Sequence, residues 1–347
     1  MSEQRSLRWG VLGPGRIAAE IARDLDHVAH AEIVAVGSRD EGRARAFAAE
    51  HAPRARAHGS YAALLADDEV DVVHIATPHA QHARHACAAI AAGRGVLVEK
   101  AFAATAAGAH RVADEARAAG TFAMEAMWTR FLPAVVRLRD LVADGAIGEV
   151  RAVTSEMGWP LPGSSVDDEP AAGRGALLDL AVYGISLAQM LLGAPTQVRA
   201  TGTLTAGGTD SHVGAVVGFA GGSTASVLAS RTTPMPGVAR VYGSRGWIDL
   251  DAPFHGTDGF VLHRDGADPV REHHPARGRG YAHELEEVAA CVRAGRTESS
   301  VMPLADTLAV QGVLQDVADQ IGLVLRDEDD DGVASAPDHP ADAQETR

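Results

Sequence analysis

The chain has 347 residues, of which 46% are hydrophobic, and a formal net charge of −15 at pH 7. A chain of this length and composition can bury a large core, and we expect it to divide into two domains. Its negative charge argues against a nucleic-acid partner, and because it has neither an apolar run long enough to span a bilayer nor an apolar signal region after Met1, we expect a cytoplasmic protein without membrane contact.

The first predicted elements are a strand, a glycine turn and a helix, which together are typical of a dinucleotide-binding unit. Residues 7–12 form a short apolar strand, and residues 13–18, Gly-Pro-Gly-Arg-Ile-Ala, follow it and open a helix. In this GxGxxA pattern the first glycine allows the tight turn, the second lets the backbone approach a pyrophosphate, and the alanine allows close helix packing. A second strand begins at residue 31, at the spacing of a βαβ unit. We therefore expect a dinucleotide to contact Gly13, Gly15, Arg16 and Ile17.

The end of the second strand predicts which dinucleotide is used. About 20 residues beyond the fingerprint an NAD site usually has a carboxylate that binds the ribose 2′-hydroxyl, whereas residues 37–40 here are Gly-Ser-Arg-Asp. Ser38 and Arg39 can hydrogen-bond a 2′-phosphate, and Arg43 can add positive charge one helical turn later. We therefore predict NADP over NAD. If Asp40 rather than Ser38 meets the ribose, NAD would be accepted as well.

Strands and helices continue to alternate as far as residue 126. They predict a doubly wound parallel sheet of six strands, a Rossmann fold, over residues 1–127. His79, His82 and His85 recur every third residue, but that spacing spreads them around a helix, so we predict no metal site.

Lys100 is the only lysine, because every other one of the 31 basic residues is arginine. A guanidinium presents a wide planar fork, whereas an ammonium is compact. The apolar run before Lys100 predicts a buried parallel strand, and open α/β sheets bind ligands at the carboxyl ends of their strands. We predict that Lys100 takes part in the chemistry. The alternative is that this lysine lies on a surface turn and was retained there by chance.

Residues 128–326 have a different pattern. After a helix over 132–143, strands follow one another with a single helix among them, over 175–192, which predicts an α+β domain with a large open, mainly antiparallel sheet. The predicted strands are 149–157, 196–204, 212–219, 224–230, 238–242, 247–250 and 259–263. The free face of such a sheet is often covered by a second subunit, so we expect a homodimer or higher homo-oligomer. Helices over 281–294 and 304–325 close the fold, and residues 327–347 are predicted to be a disordered acidic tail.

Asp179 and Tyr183 lie four residues apart on the helix over 175–192, and hence on one face. A phenol near a cation such as Lys100 can act as a general acid, and Asp179 can orient the lysine or the substrate. The alternative is that Tyr183 packs in the core and that Asp179 follows the preference of helix amino termini for acidic side chains.

Taken together, these motifs resemble the Gfo/Idh/MocA oxidoreductase family. The resemblance covers residues 7 to about 325, and residues 124–133 look most like the family's dimeric dihydrodiol dehydrogenase and xylose dehydrogenase branch. It is carried by residues 13–18, Thr77-Pro78 with His82, Glu99-Lys100, 145–150 and 179–183. The resemblance implies that Lys100 binds the reacting oxygen, that Tyr183 is the proton donor or acceptor, and that Asp179 is the acid one turn before it.

The resemblance also implies further contacts and one departure. The cofactor site would include Thr77, Pro78, His79, His82, Glu99 and Lys100. The substrate site would include Trp128, with Arg130, Phe131 and Trp159 as further candidates, because aromatic rings can stack on a sugar or an aromatic diol. Ala101 stands where the family has a proline whose bond to the lysine is cis, so this bond is expected to be either trans, with the ammonium displaced, or cis.

We therefore predict reversible hydride transfer between C4 of the nicotinamide and a carbinol carbon of a sugar, polyol or cyclic trans-diol. The alternative from a different class is a catalytically silent NADP-binding sensor or partner protein. Such a protein would keep residues 13–18 and Arg39 but would not need Lys100, Asp179 and Tyr183 together.

Overall fold

The computed structural model describes residues 5–160 and 175–328. In the amino-terminal part strands and helices alternate, as predicted. The strands are β1 (Leu7–Leu12), β2 (Ala31–Gly37), β3 (Arg56–His58), β4 (Val72–Ile75), β5 (Gly95–Glu99) and β6 (Ala123–Ala126). The helices are α1 (Arg16–Leu25), α2 (Glu41–His51), α3 (Tyr61–Leu65), α4 (His79–Ala91) and α5 (Ala106–Ala119).

The strand order is β3-β2-β1-β4-β5-β6, and every neighbouring pair is parallel. This order confirms the predicted doubly wound sheet. The chain leaves β1 toward β2 on one side and returns to β4 on the other, so β1 and β4 form the switch point at which such sheets bind ligands. Gly13, Thr77 and Lys100, which follow β1, β4 and β5, therefore meet at one edge of the sheet.

Both faces of this sheet are covered by helices. Val11 lies in a hydrophobic cluster with Phe47 of α2, whereas its neighbour Leu12 lies in a different cluster with Leu64 of α3. The strands β4 and β5 are buried along their whole length, as expected for central parallel strands. The edge strand β3 was not located by the sequence pattern, because its three residues contain no apolar run.

The carboxyl-terminal part contains the predicted open sheet. Its strands are β7 (Val150–Gly158), β8 (Pro195–Leu204), β9 (Asp210–Phe219), β10 (Thr224–Ser230), β11 (Ala239–Gly243), β12 (Gly246–Leu250), β13 (Gly259–Arg264) and β14 (Val270–His273). The order is β14-β13-β12-β11-β7-β10-β9-β8, and all neighbours are antiparallel except β7 and β10. The mainly antiparallel α+β domain is thus confirmed, with β14 as a short edge strand that was not predicted.

The helices of this part are α6 (Pro133–Ala143), α7 (Val182–Leu192), α8 (Ala282–Arg293) and α9 (Leu304–Ile321). A π-helical segment, Leu177–Ala181, leads directly into α7, and a short 3₁₀ turn, Trp128–Phe131, precedes α6. The helix α9 ends earlier than predicted, because Gly322 has a φ of 74° and closes it in the left-handed conformation. No helix of the described ranges is long and apolar enough to cross a membrane.

The eight-stranded sheet has two different faces. Val153 and Met157 of β7 and Val227 of β10 are buried in the core, whereas Val216 of β9 and Trp247 of β12 are 50% and 37% exposed. One face is thus packed and the other contains exposed apolar side chains.

Two segments of the carboxyl-terminal half pack on the nucleotide domain. The carboxylate of Asp24 in α1 accepts hydrogen bonds from the backbone N–H groups of Arg279, Tyr281 and Ala282 at the start of α8. Near the end of the described residues, Asp327 accepts from Ala104 N at 3.0 Å and Glu328 accepts from Gln81 Nε2 at 3.1 Å. These contacts place Asp327 and Glu328 in the folded part and not in the predicted tail, whose remaining residues lie outside the described ranges.

Candidate active site

The turn after β1 leaves room for an anion at the start of α1. Gly13 has a φ of 91°, and a side chain there would meet the carbonyl oxygen of Ala76 at 2.9 Å, whereas a Cβ on Gly15 would meet nothing within 4 Å. No side chain caps α1, which begins at Arg16. Open space beside uncapped helix N–H groups is what a pyrophosphate requires, so the turn fits the dinucleotide that its sequence predicts.

The loop after β2 uses its acidic residue internally. The Oδ1 atom of Asp40 accepts hydrogen bonds from Gly42 N at 2.7 Å and Arg43 N at 3.3 Å, and so caps α2. Ser38 is buried, and its hydroxyl accepts from Asp40 N at 3.2 Å. Arg39 and Arg43 are exposed at this turn. The carboxylate of Asp40, which was the alternative ligand of the ribose, is thus hydrogen-bonded to the amino terminus of α2.

Two histidines of α4 support the loop that contains Lys100. The Nε2 atom of His79 lies 3.0 Å from the carbonyl oxygen of Lys100, and the ring of His82 lies between the carbonyl oxygens of Ala101 (2.9 Å) and Thr77 (2.6 Å). His82 is 1% exposed, and burial lowers its pKa to about 4. His82 is therefore a buried residue that supports the loop from behind, and its contact with the cofactor stays a prediction.

The peptide bond between Lys100 and Ala101 is cis, which decides between the two alternatives that Ala101 left open. Glu99, the residue before Lys100, has its Oε1 atom 3.0 Å from Nε2 of the fully buried His74 in β4. The end of β5 is thus held by contacts of Glu99, before Lys100, and of Ala101, after it.

Lys100 meets Asp179, which comes from the π-helical segment of the other domain. The ammonium donates to Oδ1 of Asp179 at 2.6 Å and to the main-chain oxygen of Asp179 at 3.0 Å. The second carboxylate oxygen of Asp179 contacts the guanidinium of Arg231, which follows β10. The carboxylate therefore lies between two cations.

Tyr183 completes this cluster one turn further along. The ammonium of Lys100 lies 5.1 Å from the centroid of the Tyr183 ring. The indole Nε1 of Trp128 donates to the phenolic oxygen of Tyr183 at 3.3 Å. The structure thus brings together four residues that were predicted from three separate motifs: Lys100, Asp179, Tyr183 and Trp128.

Aromatic rings surround Tyr183 and Trp128. The Trp128 ring packs against Tyr281 at a centroid distance of 4.7 Å and lies perpendicular to His255 at 5.9 Å, and His255 packs against Tyr183 at 5.0 Å. Burial and the nearby charge of Lys100 lower the pKa of His255 to about 4, so its imidazole is neutral at pH 7. The cluster therefore offers the Trp128 indole, the two phenols of Tyr183 and Tyr281, one ammonium and one neutral imidazole.

Comparisons with known proteins agree with this architecture. A family model described as an oxidoreductase family with an NAD-binding Rossmann fold matches residues 7–126, and one for the GFO/IDH/MocA C-terminal domain matches residues 135–249. The trans-1,2-dihydrobenzene-1,2-diol dehydrogenases of Bos taurus and Homo sapiens are each 32% identical to this chain, over 92% of it and 98% of their own length. The chain belongs to the Gfo/Idh/MocA family.

Solved structures share the fold of this Gfo/Idh/MocA protein. The aldose-aldose oxidoreductase of Caulobacter crescentus, crystallised with glycerol, is 23% identical and superposes with a TM-score of 0.82 over 91% of this chain and 97% of its own. A 3-ketoreductase of Actinomadura kijaniata, crystallised with NADP, is 24% identical with a TM-score of 0.79, over 93% and 99% of the two chains. These likenesses extend over both domains.

The three other candidate substrate residues of this family member differ in their exposure. The guanidinium of Arg130 is 2% exposed and donates to Ser186, Gln189 and Asp306. It ties the 3₁₀ turn to α7 and α9, which argues against the predicted substrate contact. Trp159 is 61% exposed, so the apolar wall predicted for it is not seen among the described residues. Phe131 is buried in the core, and its contact with substrate stays a prediction.

Three residues of the cluster were not predicted from the sequence. Arg231, His255 and Tyr281 come from positions 48 to 98 residues beyond Tyr183, and no motif precedes them. Arg231 is one arginine among many, and His255 one of 16 histidines. Only the folding of the open sheet and of α8 against the nucleotide domain brings them to Tyr183.

Proposed function

We propose that this chain is an NADP-dependent oxidoreductase that transfers hydride between a nicotinamide and a carbinol carbon of a sugar, polyol or cyclic trans-diol. The observation that carries the proposal is the meeting of Lys100 and Tyr183, from two domains, beside the edge of the sheet to which the glycine turn also belongs. A sensor would need the glycine turn but has no use for an ammonium, a phenol and an aromatic wall at the same place.

Each residue has a distinct chemical part in this proposal. Lys100 has three N–H bonds, two of which are directed to Asp179, so one can point to the reacting oxygen and stabilise negative charge on it. During oxidation Tyr183, as the phenolate, takes the hydroxyl proton and becomes the phenol, and during reduction the phenol gives this proton back. The Trp128 N–H, which donates to the same phenolic oxygen, stabilises charge that develops there.

The cofactor would be held by the residues of the switch point. The turn from Gly13 to Ile17 would hold the pyrophosphate, and the loop with Thr77, Pro78 and His79 would lie beside the nicotinamide, which supplies the hydride acceptor or donor. Arg39 and Arg43 would bind the 2′-phosphate, and the use of the Asp40 carboxylate as a helix cap supports NADP over NAD.

The substrate class follows from the rings around Tyr183. Trp128, Tyr281 and His255 present flat faces and edges, on which a sugar ring or the ring of an aromatic diol can stack. The diol dehydrogenases that are 32% identical support the same choice.

We also propose that the exposed face of the open sheet pairs with a second copy of the chain. Val216 of β9 is 50% exposed between Arg199 of β8 and Ser226 of β10, its partners in the sheet. Exposed apolar side chains on a broad flat face favour a homodimer or higher homo-oligomer. A cytoplasmic location stays a prediction.

The test is reduction of NADP by the purified chain against a panel of aldoses, polyols and cyclic trans-diols, followed by the absorbance of the reduced nicotinamide. We expect turnover with at least one member, loss of it in Tyr183→Phe, and retention in the control Tyr242→Phe, whose ring lies on the exposed sheet face. Calorimetric binding of NADP without turnover across the panel would instead identify a sensor and overturn the proposal.

A further inference from the structure

Arg231 is a buried cation that no motif predicted. It is the first residue after β10, its side chain is 7% exposed, and its backbone N–H donates to the carbonyl oxygen of Ser211 at 2.8 Å. Its guanidinium contacts Oδ2 of Asp179 and lies 3.4 Å from the carbonyl oxygen of Trp159. The backbone of Arg231 is thus held by the sheet, and its guanidinium reaches the carboxylate of Asp179.

Asp179 is shared between Arg231 and Lys100. Lys100 binds Oδ1 and Arg231 binds Oδ2, so each cation has its own carboxylate oxygen. A lysine and an aspartate alone would form a neutral pair, whereas the three groups together have one excess positive charge. That excess is what an ammonium needs if it is to stabilise negative charge on a substrate oxygen.

The other groups that face Lys100 do not provide this charge. His255 is neutral because its pKa is lowered to about 4. The fully buried Glu125 in β6 also interacts with Lys100, but a carboxyl group can contribute only negative charge. Among the described residues that contact Asp179, Arg231 is the cation that offsets its charge on the side away from Lys100.

We propose that Arg231 is a positioning residue for Lys100, which it serves through Asp179. It holds the carboxylate in a fixed orientation, so that the ammonium stays directed at the reacting oxygen. It also offsets the charge of the carboxylate, so that the positive charge of the ammonium can act on that oxygen. This role rests on the proposed oxidoreductase function and names a residue on which its rate depends.

A double-mutant cycle tests the proposal, because a residue that acts through Asp179 loses its effect when Asp179 is altered. With a substrate from the panel above, Arg231→Gln should lower kcat about 10- to 100-fold, the range of a hydrogen bond to a charged group, with the KM for NADP unchanged. In an Asp179→Asn background the same change should lower kcat by less than about threefold. Arg231→Lys should retain more activity than Arg231→Gln, because it keeps the positive charge, although it loses the planar guanidinium.

The single lysine of the chain allows a second readout without turnover. Full-length protein grown with lysine that is isotope-labelled only at Cε gives one side-chain NMR signal, that of Lys100 Cε, because the sequence has no other lysine. We expect this signal to shift in Arg231→Gln and to stay in place in Arg245→Gln, an exposed arginine of the same domain that donates to Gly145 O at 3.0 Å.

Two results would overturn the proposal: an equal loss of kcat from Arg231→Gln in both backgrounds, or an unmoved Lys100 signal. If Arg231→Gln does not fold, Arg231→Lys replaces it in the kinetic cycle, and the same absence of coupling to Asp179→Asn counts against the role. Failure of the proposed function would give a different result. The unaltered chain would then turn over no substrate, while the NMR shift would still report the Arg231 contact.

Discussion

The indole N–H of Trp128 donates to the phenolic oxygen of Tyr183 at 3.3 Å. Trp128 begins the 3₁₀ turn after the nucleotide domain, and Tyr183 lies in α7 of the other domain. Because the indole is a donor only, the phenolic oxygen accepts this bond, and the phenol's own proton is free for another acceptor. Tyr183 is thus oriented from one side by the indole, and its proton can be donated on the other.

Removal of this single N–H should slow the reaction without disturbing the fold. Trp128→Phe keeps an aromatic ring against Tyr281 but loses the donor, so we expect kcat to fall about 5- to 30-fold, equivalent to about 1–2 kcal/mol. Trp247→Phe, on the exposed face of the sheet, is the matched control. Steady-state kinetics would contradict the assignment if both variants behaved alike.

Lys100→Met should remove most of the turnover. The ammonium is the group proposed to stabilise charge on the reacting oxygen, so we expect kcat to fall by about 10²- to 10⁴-fold while circular dichroism and the melting temperature stay close to those of the unaltered chain. Lys100→Arg should fold equally well and also lose turnover, because the planar guanidinium does not replace the compact ammonium. Unaltered rates in Lys100→Arg would remove the lysine from the chemistry.

The sequence predicted the elements whose signals are local. The glycine turn after β1 and the buried run of β5 are both read from neighbouring residues, and the structure has them. The helix with Asp179 and Tyr183 was also expected, although its π-helical start was not. Lys100 was singled out as the only lysine and by its place at the end of a predicted buried strand.

The sequence could not predict contacts that depend on how distant elements pack. Arg130 lies two residues from Trp128 and was expected in the same pocket, yet its side chain points to Asp306 of α9. Arg231 and His255 reach the cluster only because β10 and the 3₁₀ turn Phe254–Gly256 end beside α7. Side-chain direction at such junctions is set by the partner surface and has no periodic signal along the chain.

Arg39→Ala should change the cofactor preference. Loss of a charge-assisted contact to the 2′-phosphate is expected to raise the Kd for NADP about 10- to 100-fold and to leave the Kd for NAD almost unchanged. Arg54→Ala is the control, since its exposed side chain lies 3.7 Å from Glu32 and away from the glycine turn. Calorimetry that gave equal losses for both dinucleotides would place Arg39 outside the phosphate site.

Val216→Glu should dissociate the proposed oligomer. A charge at the middle of an apolar contact is costly to bury, so light scattering at micromolar concentration should show the mass of a single chain for this variant and a multiple of it for the unaltered protein. Val324→Glu, at a position 69% exposed and outside the sheet, should keep the larger mass. A single-chain mass for the unaltered protein would exclude the oligomer.

Glu125 should make the protein less stable as the pH rises through the weakly acidic range. Burial raises the pKa of this carboxyl from 4.5 to about 7, although Arg130, Thr307 and the Phe102 N–H oppose the shift. Between these two values the unfolded chain releases a proton that the folded chain keeps, so the free energy of unfolding falls with increasing pH, by up to about 1.4 kcal/mol per unit from this group. Below pH 4.5 both states hold the proton, and above pH 7 both have released it, so the contribution is constant outside the window.

Glu125→Gln, which cannot ionise, should make this slope shallower when unfolding by denaturant is measured at several pH values between 4.5 and 7. Part of the slope should remain, because burial also raises the pKa of Asp210 to about 6 and that of Glu284. Glu50→Gln, whose side chain is 71% exposed, should keep the full slope. Identical slopes for Glu125→Gln and the unaltered chain would mean that Glu125 is ionised in the folded protein throughout this range, as a carboxylate held beside Arg130 and Lys100.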